Sequence, residues 1–245
     1  MDTPVILFED NHLIVAVKPA GVLSQSDITG APDMLNLLKR YLVDTYKKPG
    51  EAYLGLLHRL DRPVCGVMVF AKTSKCAARI SAQIRERKMD KRYRAVVRGV
   101  SAQDEVTLRS YILKDDDKNQ VTVIHTDHGA AAPDNAKEGV LTYKSVGEAV
   151  RKGPGGSKPL SLLEIHLLTG RSHQIRAQLA DAGLPILGDR KYGPDDLFYR
   201  GEICLEAFSL SFQHPISGEP MTFSLPISKD DPWNLFPEEH KGGCQ

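Results

Sequence analysis

The stretch LLHRLDRPVCGVMVFAKT, residues 56–73, places a charged loop directly before a continuous apolar run. The run GVMVFA, residues 66–71, lacks polar alternation, which is typical of a strand buried on both faces. Pro63 disfavours helical backbone at Arg62, so the loop is predicted to be extended there. Asp61 is therefore expected in a loop between strands, where it can face a cleft.

The segments around this stretch predict further strands. Residues 5–9 and 12–18 are apolar runs separated by the turn-forming Asp10-Asn11, which predicts a hairpin. Residues 106–147 predict a meander, because β-branched and aromatic runs alternate there with polar turns. Glycine and lysine in residues 151–158 predict a flexible connection. Other strands are predicted at residues 93–99, 160–168, 203–212 and 221–225.

Three helices are predicted between these strands. Residues 34–48 carry apolar side chains at helical spacing behind Asp33, a residue type suited to the N-cap. Ser74 can cap a second helix, and residues 172–182 predict a third that ends at Gly183. Because strands outnumber helices and βαβ alternation is absent, the sequence predicts an α+β fold with a long, mostly antiparallel mixed sheet flanked by helices.

The bulk composition is that of an ordinary globular protein. The chain has 245 residues, of which 41% are hydrophobic and 26% charged, which argues against fibrous and disordered classes. No apolar run approaches the roughly 18 residues of a membrane span, and the N-terminus has acids where a secretory signal has bases. We expect a cytoplasmic protein with one domain over residues 1–230 and an acidic, polar tail at 231–245.

Metal sites and disulfide frameworks are not expected. The only HxxH pair is His125 with His128, and no further ligand cluster completes a tetrahedral set. The four cysteines are scattered without a CxxC pair, which argues against a zinc knuckle or a disulfide scaffold. They are Cys65, Cys76, Cys204 and Cys244.

Positive charge is concentrated in one segment, although the net charge is only +1. Residues 72–98 contain ten Lys or Arg and two acidic residues, Glu86 and Asp90. Such a segment is either a solvated helix face or a surface that follows a phosphate backbone. The charge pattern alone leaves both interpretations open.

Asp61 is the first candidate for chemistry. Arg59 and Arg62 lie close to it in sequence, and nearby positive charge favours the ionised carboxylate, which can act as a nucleophile or a base. The alternative is an ordinary surface loop with weak ion pairs.

A second candidate segment is TGRSHQIR, residues 169–176. Arg176 falls in the early turns of a predicted helix, where the helix dipole disfavours a cation, so a buried carboxylate is expected to compensate it. The alternative is that Arg171, His173 and Gln174 only cap the turn.

The third candidate is Tyr93, which begins a predicted strand directly after the basic segment. Its ring can stack on a base and its phenol can exchange a proton. The alternative is a tyrosine that belongs to the core.

Five segments together resemble the successive signature segments of the RluA family of pseudouridine synthases. They are HLIVAVKPAGV, LLHRLDRPVCGVMVFAKT, KRYRAVVRG, LTGRSHQIRAQLADAGLPILGDRKYG and FQHPISGEPMTFSLP, in the family's order. The resemblance implies a pseudouridine synthase fold with two subdomains about a central RNA-binding cleft. It also implies isomerisation of uridine to pseudouridine, without a metal or an organic cofactor.

The resemblance carries roles to individual positions. Asp61 matches the essential aspartate, Tyr93 the tyrosine that packs on the target base, and Arg176 the arginine that pairs with the aspartate. Arg59 matches an arginine associated with RNA contact and base extrusion. RNA-binding residues are expected at His58, Arg59, Arg62, Arg171, His173 and Gln174.

The chain departs from the family pattern in two places. The usual Thr-Ser-Gly-like turn after the aspartate is replaced by Val64-Cys65-Gly66, with the glycine kept. No S4-type segment precedes the first matched segment, so RNA recognition is expected from the catalytic domain itself. We expect a monomer that acts on tRNA or rRNA, with its basic segment along the RNA backbone and Tyr93 on the flipped base.

Two other functions remain open at this stage. A nucleoside N-glycosidase would break the same bond, but such hydrolysis usually needs two cooperating carboxylates, and it would release the free base. A catalytically silent RNA-binding protein would keep the basic segment and lose Asp61 or Tyr93, yet both are present.

Overall fold

A computed structural model describes residues 4–101, 105–126, 132–153, 156–194 and 198–236. Its strands are β1 Ile6–Glu9, β2 Leu13–Lys18, β3 Gly55–Leu56, β4 Cys65–Ala71, β5 Asp90–Arg98, β6 Val106–Asp115, β7 Gln120–Ile124, β8 Lys137–Gly153, β9 Gly156–Leu167, β10 Leu205–Gln213 and β11 Pro220–Ser224. Its helices are α1 Met34–Tyr46, α2 Ser74–Arg85, α3 Gln174–Asp181 and a 3-10 turn at Trp233–Leu235.

These elements divide into two compact units. The first unit comprises the described residues of Met1–Tyr93, His166–His173 and Leu205–Leu225. The second comprises those of Arg94–Ile165, Gln174–Cys204 and Pro226–Gln245. The chain thus changes unit within β5, and it does so again near the end of β9.

A mixed sheet organises the first unit, with strands in the order β1-β2-β4-β10, β3 on β4 and β11 on β10. The strands β1 and β2 form the predicted antiparallel hairpin, and β2 pairs antiparallel with β4. The strand β10 runs parallel to β4. A Cβ at Gly66 would collide with the backbone of Ala207 on that neighbour. This glycine is therefore required by the close approach of two strands, rather than by the turn that the sequence analysis assigned to it.

Two helices complete the first unit. Asp33 caps α1 as predicted, because its carboxylate accepts a hydrogen bond from the backbone N–H of Asn36 at 3.0 Å. The prediction of Ser74 as the cap of α2 was wrong by one residue: the hydroxyl of Thr73 accepts from the N–H of Cys76. The side chains of Cys76 and Ile80 are fully buried against the apolar side chains of β2, β4 and β10.

The second unit is built on strands in the order β5-β9-β8-β6-β7. β6 pairs antiparallel with both β7 and β8. The predicted meander was therefore wrong in its strand order, because a meander places the middle strand β7 between its two neighbours, whereas here β6 lies between β8 and β7. The prediction of a flexible connection was wrong for residues 151–153 and 156–158, since β8 reaches Gly153 and β9 starts at Gly156. Residues 154–155 of that predicted connection lie outside the described part of the chain. Gly153 lies against the ring of Phe198, so this glycine makes room for a buried aromatic side chain.

The start of the predicted tail packs onto the second unit. Asp231 forms an ion pair with Arg151, and Phe236 is only 4% exposed, beside Gly147. Residues 237–245 lie outside the described part of the chain. The division into a domain at 1–230 and a tail stays a prediction.

The α+β fold class and the mixed, mostly antiparallel pairing are confirmed. A central RNA-binding cleft stays a prediction. No helix among the described residues is long and apolar enough to cross a membrane.

Candidate active site

Asp61 lies in the loop between β3 and β4, as predicted. Its side chain is 27% exposed, so the carboxylate can meet a ligand without leaving the protein surface. The hydroxyl of Ser24 donates to the carbonyl of Leu60 at 2.8 Å and accepts from its N–H at 3.0 Å. A turn follows in which the N–H of Val64 donates to the carbonyl of Asp61. The backbone on both sides of the carboxylate is therefore held in place.

Lys18 is a second anchor of this loop, and the sequence analysis did not identify it. Its side chain is completely buried, and its ammonium donates to the carbonyls of Pro19, Val22 and Arg62 at 3.0, 2.6 and 2.9 Å. Burial lowers the pKa of Lys18 to about 8, against the opposing effect of negative charge on Asp61. A usable signal was present, because a lysine at the end of a fully apolar strand needs acceptors for its charge.

Tyr93 lies on β5 and is 7% exposed. Burial raises the pKa of Tyr93 above its ordinary value, and the negative charge of Asp61 adds to this effect. The phenol is therefore neutral and protonated near neutral pH, within electrostatic range of the carboxylate. The structure thus brings Asp61 and Tyr93 together in the first unit, although they are far apart in sequence.

His173 approaches the same carboxylate. Its Nε2 lies 3.8 Å from Oδ2 of Asp61, and its side chain is 10% exposed. The backbone of His173 has a φ of 51°, in the left-handed region that histidine adopts more often than most residues other than glycine. This conformation turns the chain directly before α3.

His58 has an additional role that the sequence analysis did not foresee. Its Nε2 accepts a hydrogen bond from the backbone N–H of Val69 at 3.1 Å. Burial, aided by the positive charge of Lys91, lowers the pKa of His58 to about 4. The imidazole is therefore neutral near neutral pH and acts as an acceptor for a strand. An RNA contact of His58 stays a prediction.

Three of the expected RNA-binding residues are exposed arginines: Arg59, Arg62 and Arg171. The Nε of Arg62 donates to the carbonyl of Gly21 at 3.0 Å, so part of its side chain also holds the loop. Arginines on both sides of a partly exposed carboxylate suit a polyanionic ligand better than a neutral one.

Arg176 belongs to the second unit, on α3, and is 6% exposed. Its Nε and Nη2 donate to the two carboxylate oxygens of Asp189, each at 2.8 Å. The expected buried carboxylate is therefore present, and the sequence analysis had not identified this residue. The expected pairing of Arg176 with Asp61, which belongs to the other unit, stays a prediction.

Asp189 is enclosed by donors. In addition to Arg176, the backbone N–H groups of Lys191 and Tyr192 donate to its Oδ1. Burial would raise the pKa of Asp189, but these hydrogen bonds and the charge of Arg176 lower it below its ordinary value. Gln174 is also buried, and its amide donates to Gln178 at 3.1 Å. An RNA contact of Gln174 stays a prediction.

The basic segment, residues 72–98, does not form one uniform surface. Six of its ten basic residues are exposed: Lys75, Arg79, Arg85, Arg87, Lys88 and Arg92. Arg94 is buried, and Lys72 forms an ion pair with Glu9 at 2.6 Å. The three basic residues on α2 do face outward, as predicted.

Within the described residues, no group of three or more His, Cys, Asp and Glu is placed to hold a metal ion. His125 instead contacts Asp181 at 2.7 Å, and His128 lies outside the described residues. What the first unit offers is one partly exposed carboxylate, a protonated phenol and exposed arginines. Such a set can attack or deprotonate a sugar carbon, contact a base and bind phosphates.

The family model described as RNA pseudouridylate synthase matches residues 12–181. The matched region contains Asp61, Tyr93, His173 and Arg176. It therefore covers every position to which the sequence analysis assigned chemistry.

Similar curated proteins include a tRNA pseudouridine synthase C from Vibrio parahaemolyticus, 30% identical over 93% of this chain and 91% of that protein. A tRNA pseudouridine synthase C from Pectobacterium carotovorum is 31% identical over 93% of this chain, which spans 60% of its length. Among solved structures, human RNA pseudouridylate synthase domain containing 4 is similar, with a TM-score of 0.72 and 22% identity. The match covers 92% of this chain and 89% of that chain. The fold is therefore shared with that protein.

Proposed function

We propose, for a chain that belongs to the RNA pseudouridylate synthase family, that Asp61 is the carboxylate on which isomerisation of uridine to pseudouridine in RNA depends. The observation that carries this proposal is the position of Asp61. It is partly exposed, fixed by Ser24 and Lys18 through the adjoining backbone, and beside the buried Tyr93. Precise placement of a reacting group is a major source of catalysis.

The reaction needs one carboxylate rather than two. The N1–C1′ bond breaks, the base turns, and C5 bonds to C1′, while one proton is lost from C5 and one is gained by N1. Asp61 acts either by attacking C1′, which gives a covalent intermediate, or by promoting elimination to a glycal. Both routes require an ionised carboxylate at the sugar and keep the base in the site. No water is consumed in the overall reaction, which distinguishes it from hydrolysis.

Tyr93 and the arginines have separate roles in this proposal. Tyr93 contacts the face of the flipped base. Its phenol is protonated at neutral pH, as that of an ordinary tyrosine is, and burial raises its pKa further. Base flipping breaks stacking and pairing, and contacts to the backbone must offset that cost. In this proposal the exposed Arg59, Arg62 and Arg171 make such contacts with the RNA backbone.

The proposed substrate is a uridine in tRNA or rRNA. The similarity to two proteins named tRNA pseudouridine synthase C favours tRNA. Loop uridines are the targets that flip at the lowest cost, since fewer stacking contacts must be broken. Action as a monomer and a place in the cytoplasm belong to the same proposal.

The test is a map of pseudouridine across the RNA of cells that lack this gene. We expect one or a few sites to vanish, and to return with the wild-type protein but not with Asp61→Ala. Return of those sites with Asp61→Ala would show that the carboxylate is not required. If no site changes, the purified protein is tested on unmodified transcripts. Failure to form pseudouridine there as well would overturn the proposal.

A further inference from the structure

Lys91 is a half-buried lysine in the first unit and one of the ten basic residues of the basic segment, residues 72–98. It lies on β5, two residues before Tyr93. Side chains two positions apart on a strand point to the same face. The ammonium of Lys91 lies 3.5 Å from the position that a Cβ on Gly170 would occupy, and its charge acts on His58. It therefore lies beside the turn that carries His173.

The ammonium of Lys91 has no compensating anion within the part of the chain that the structure describes. Over residues 4–101, 105–126, 132–153, 156–194 and 198–236, no carboxylate or hydrogen-bond acceptor is found at this group. Burial lowers its pKa, and no neighbouring charge opposes that effect. Moving a cation out of water without a partner is costly, so such residues are retained where a ligand supplies the partner.

Two other basic residues show that the lack of an acceptor among the described residues is specific to Lys91. Lys18, a fully buried lysine of the first unit, has three carbonyl acceptors. Arg92 follows Lys91 on the opposite face of β5 and forms an ion pair with Asp90 at 2.9 Å. Lys91 differs from both because its ammonium faces the candidate active site without an acceptor among the described residues.

We propose that the ammonium of Lys91 binds a phosphate group of the RNA next to the target uridine. The proposal rests on the proposed function, since Tyr93 on the same face of β5 would contact the flipped base. Phosphate is the anion that every nucleotide carries, and lysine binds it as a compact point charge. This contact would hold the flipped nucleotide by its backbone while its base lies against Tyr93.

The first test compares Lys91→Met with Arg40→Met, a change at an exposed arginine of α1 outside the basic segment. Each variant removes one positive charge from the first unit. Binding is measured in the Asp61→Asn background, with an unmodified transcript of the RNA that the protein modifies in cells. We expect Lys91→Met to weaken binding by about tenfold to a hundredfold and to reduce the salt slope by about 0.7 to 1. Arg40→Met should change affinity by less than about threefold.

Stability separates this role from a structural one. Lys91→Met removes a poorly solvated charge that none of the described residues compensates. We therefore expect its melting temperature to equal or exceed that of the wild type, while RNA binding falls. A lower melting temperature together with unchanged affinity would show that Lys91 supports the fold and would overturn the proposal.

The second test locates the phosphate. Transcripts are prepared in which one phosphate at a time, on the 5′ or the 3′ side of the target uridine, is a neutral methylphosphonate. When the methylphosphonate replaces the contacted phosphate, the wild type and Lys91→Met should bind the RNA with the same affinity, because the charge pair is then already lost. A penalty that persists at every position would contradict the proposal. Failure of the proposed function is a separate result, since it would be seen as wild-type protein that forms no pseudouridine.

Discussion

Asp61 and Asp189 are carboxylates in similar polar surroundings, one in each unit, and they differ in how their charge is satisfied. Asp189 has a side chain that is 1% exposed, and it accepts from both donors of Arg176 and from two backbone N–H groups. Asp61 is 27% exposed and has His173 at 3.8 Å. Around Asp61 the hydrogen bonds from Lys18 and Ser24 hold the backbone of the loop.

This difference separates a structural carboxylate from a reactive one. Enclosure by donors stabilises an anion but leaves it little capacity to change its bonding. Partial exposure costs less stability and allows a substrate to approach. We therefore expect changes at Asp61 to affect the reaction, and changes at Asp189 to affect mainly the stability of the second unit.

The largest expected effect is that of Asp61→Asn. The rate of pseudouridine formation should fall about 10⁴-fold or more, since loss of a catalytic group typically has this size. The free energy of unfolding should change by about 1 kcal/mol or less, because the carboxylate is partly exposed. Single-turnover kinetics and denaturant unfolding measure the two quantities. A variant that isomerises uridine at the wild-type rate would break the comparison.

Asp189→Asn should have the opposite profile. It leaves the buried guanidinium of Arg176 without this counter-charge, which costs about 3–5 kcal/mol of unfolding free energy. Asp181→Asn is the matched control, because it removes an exposed contact with His125 and should cost about 1 kcal/mol or less. Equal unfolding free energies for the two variants would show that the buried pair does not stabilise the fold.

Lowering the pH should destabilise the first unit through protonation of His58. Its pKa is about 4 in the folded protein and about 6.5 when unfolded. Between these values the unfolded state binds more protons, so the free energy of unfolding falls as the pH drops from about 6.5 to about 4, by up to about 3 kcal/mol. His58→Gln keeps an acceptor for Val69 and should flatten this dependence in denaturant titrations. An unchanged slope in His58→Gln would show that another group titrates.

The smallest effect is expected from His173→Asn. Asparagine tolerates a φ of 51°, so the turn should be retained. Loss of the imidazole beside Asp61 should lower kcat by about tenfold, as one contact that orients the site is lost. A fall in melting temperature without a change in kcat would assign His173 to the turn alone.

Much of the fold could be predicted from local patterns. The hairpins β1–β2 and β6–β7 and the helix behind Asp33 follow from periodicity and turn residues. The pairing of β8 with β6 rather than with β7 could not be predicted, because it joins strands that are not adjacent in the sequence. The continuation of β8 and β9 through residues 151–153 and 156–158 could not be predicted, because glycine and lysine there resemble a linker. Strand pairing and the packing of Phe198 on Gly153 determine that region, and both depend on distant sequence.

The site could be predicted in part, and the missing residues share one feature. Asp61 and Tyr93 were identified because the resemblance assigns them roles, and the structure brings them together. Lys18, Asp189 and Lys91 were missed because their importance depends on what surrounds them. A lysine with three carbonyls and a lysine without an acceptor are the same letter in a sequence.

The most direct test of Asp61-dependent isomerisation uses purified protein and an unmodified target transcript labelled in its uracil bases. We expect the label to appear in pseudouridine within the RNA, with none released as free uracil, and to remain in uridine when Asp61→Asn replaces the wild type. Release of free uracil would instead indicate an N-glycosidase, and binding of the RNA without any conversion would indicate a catalytically silent protein. Either result would contradict the central claim.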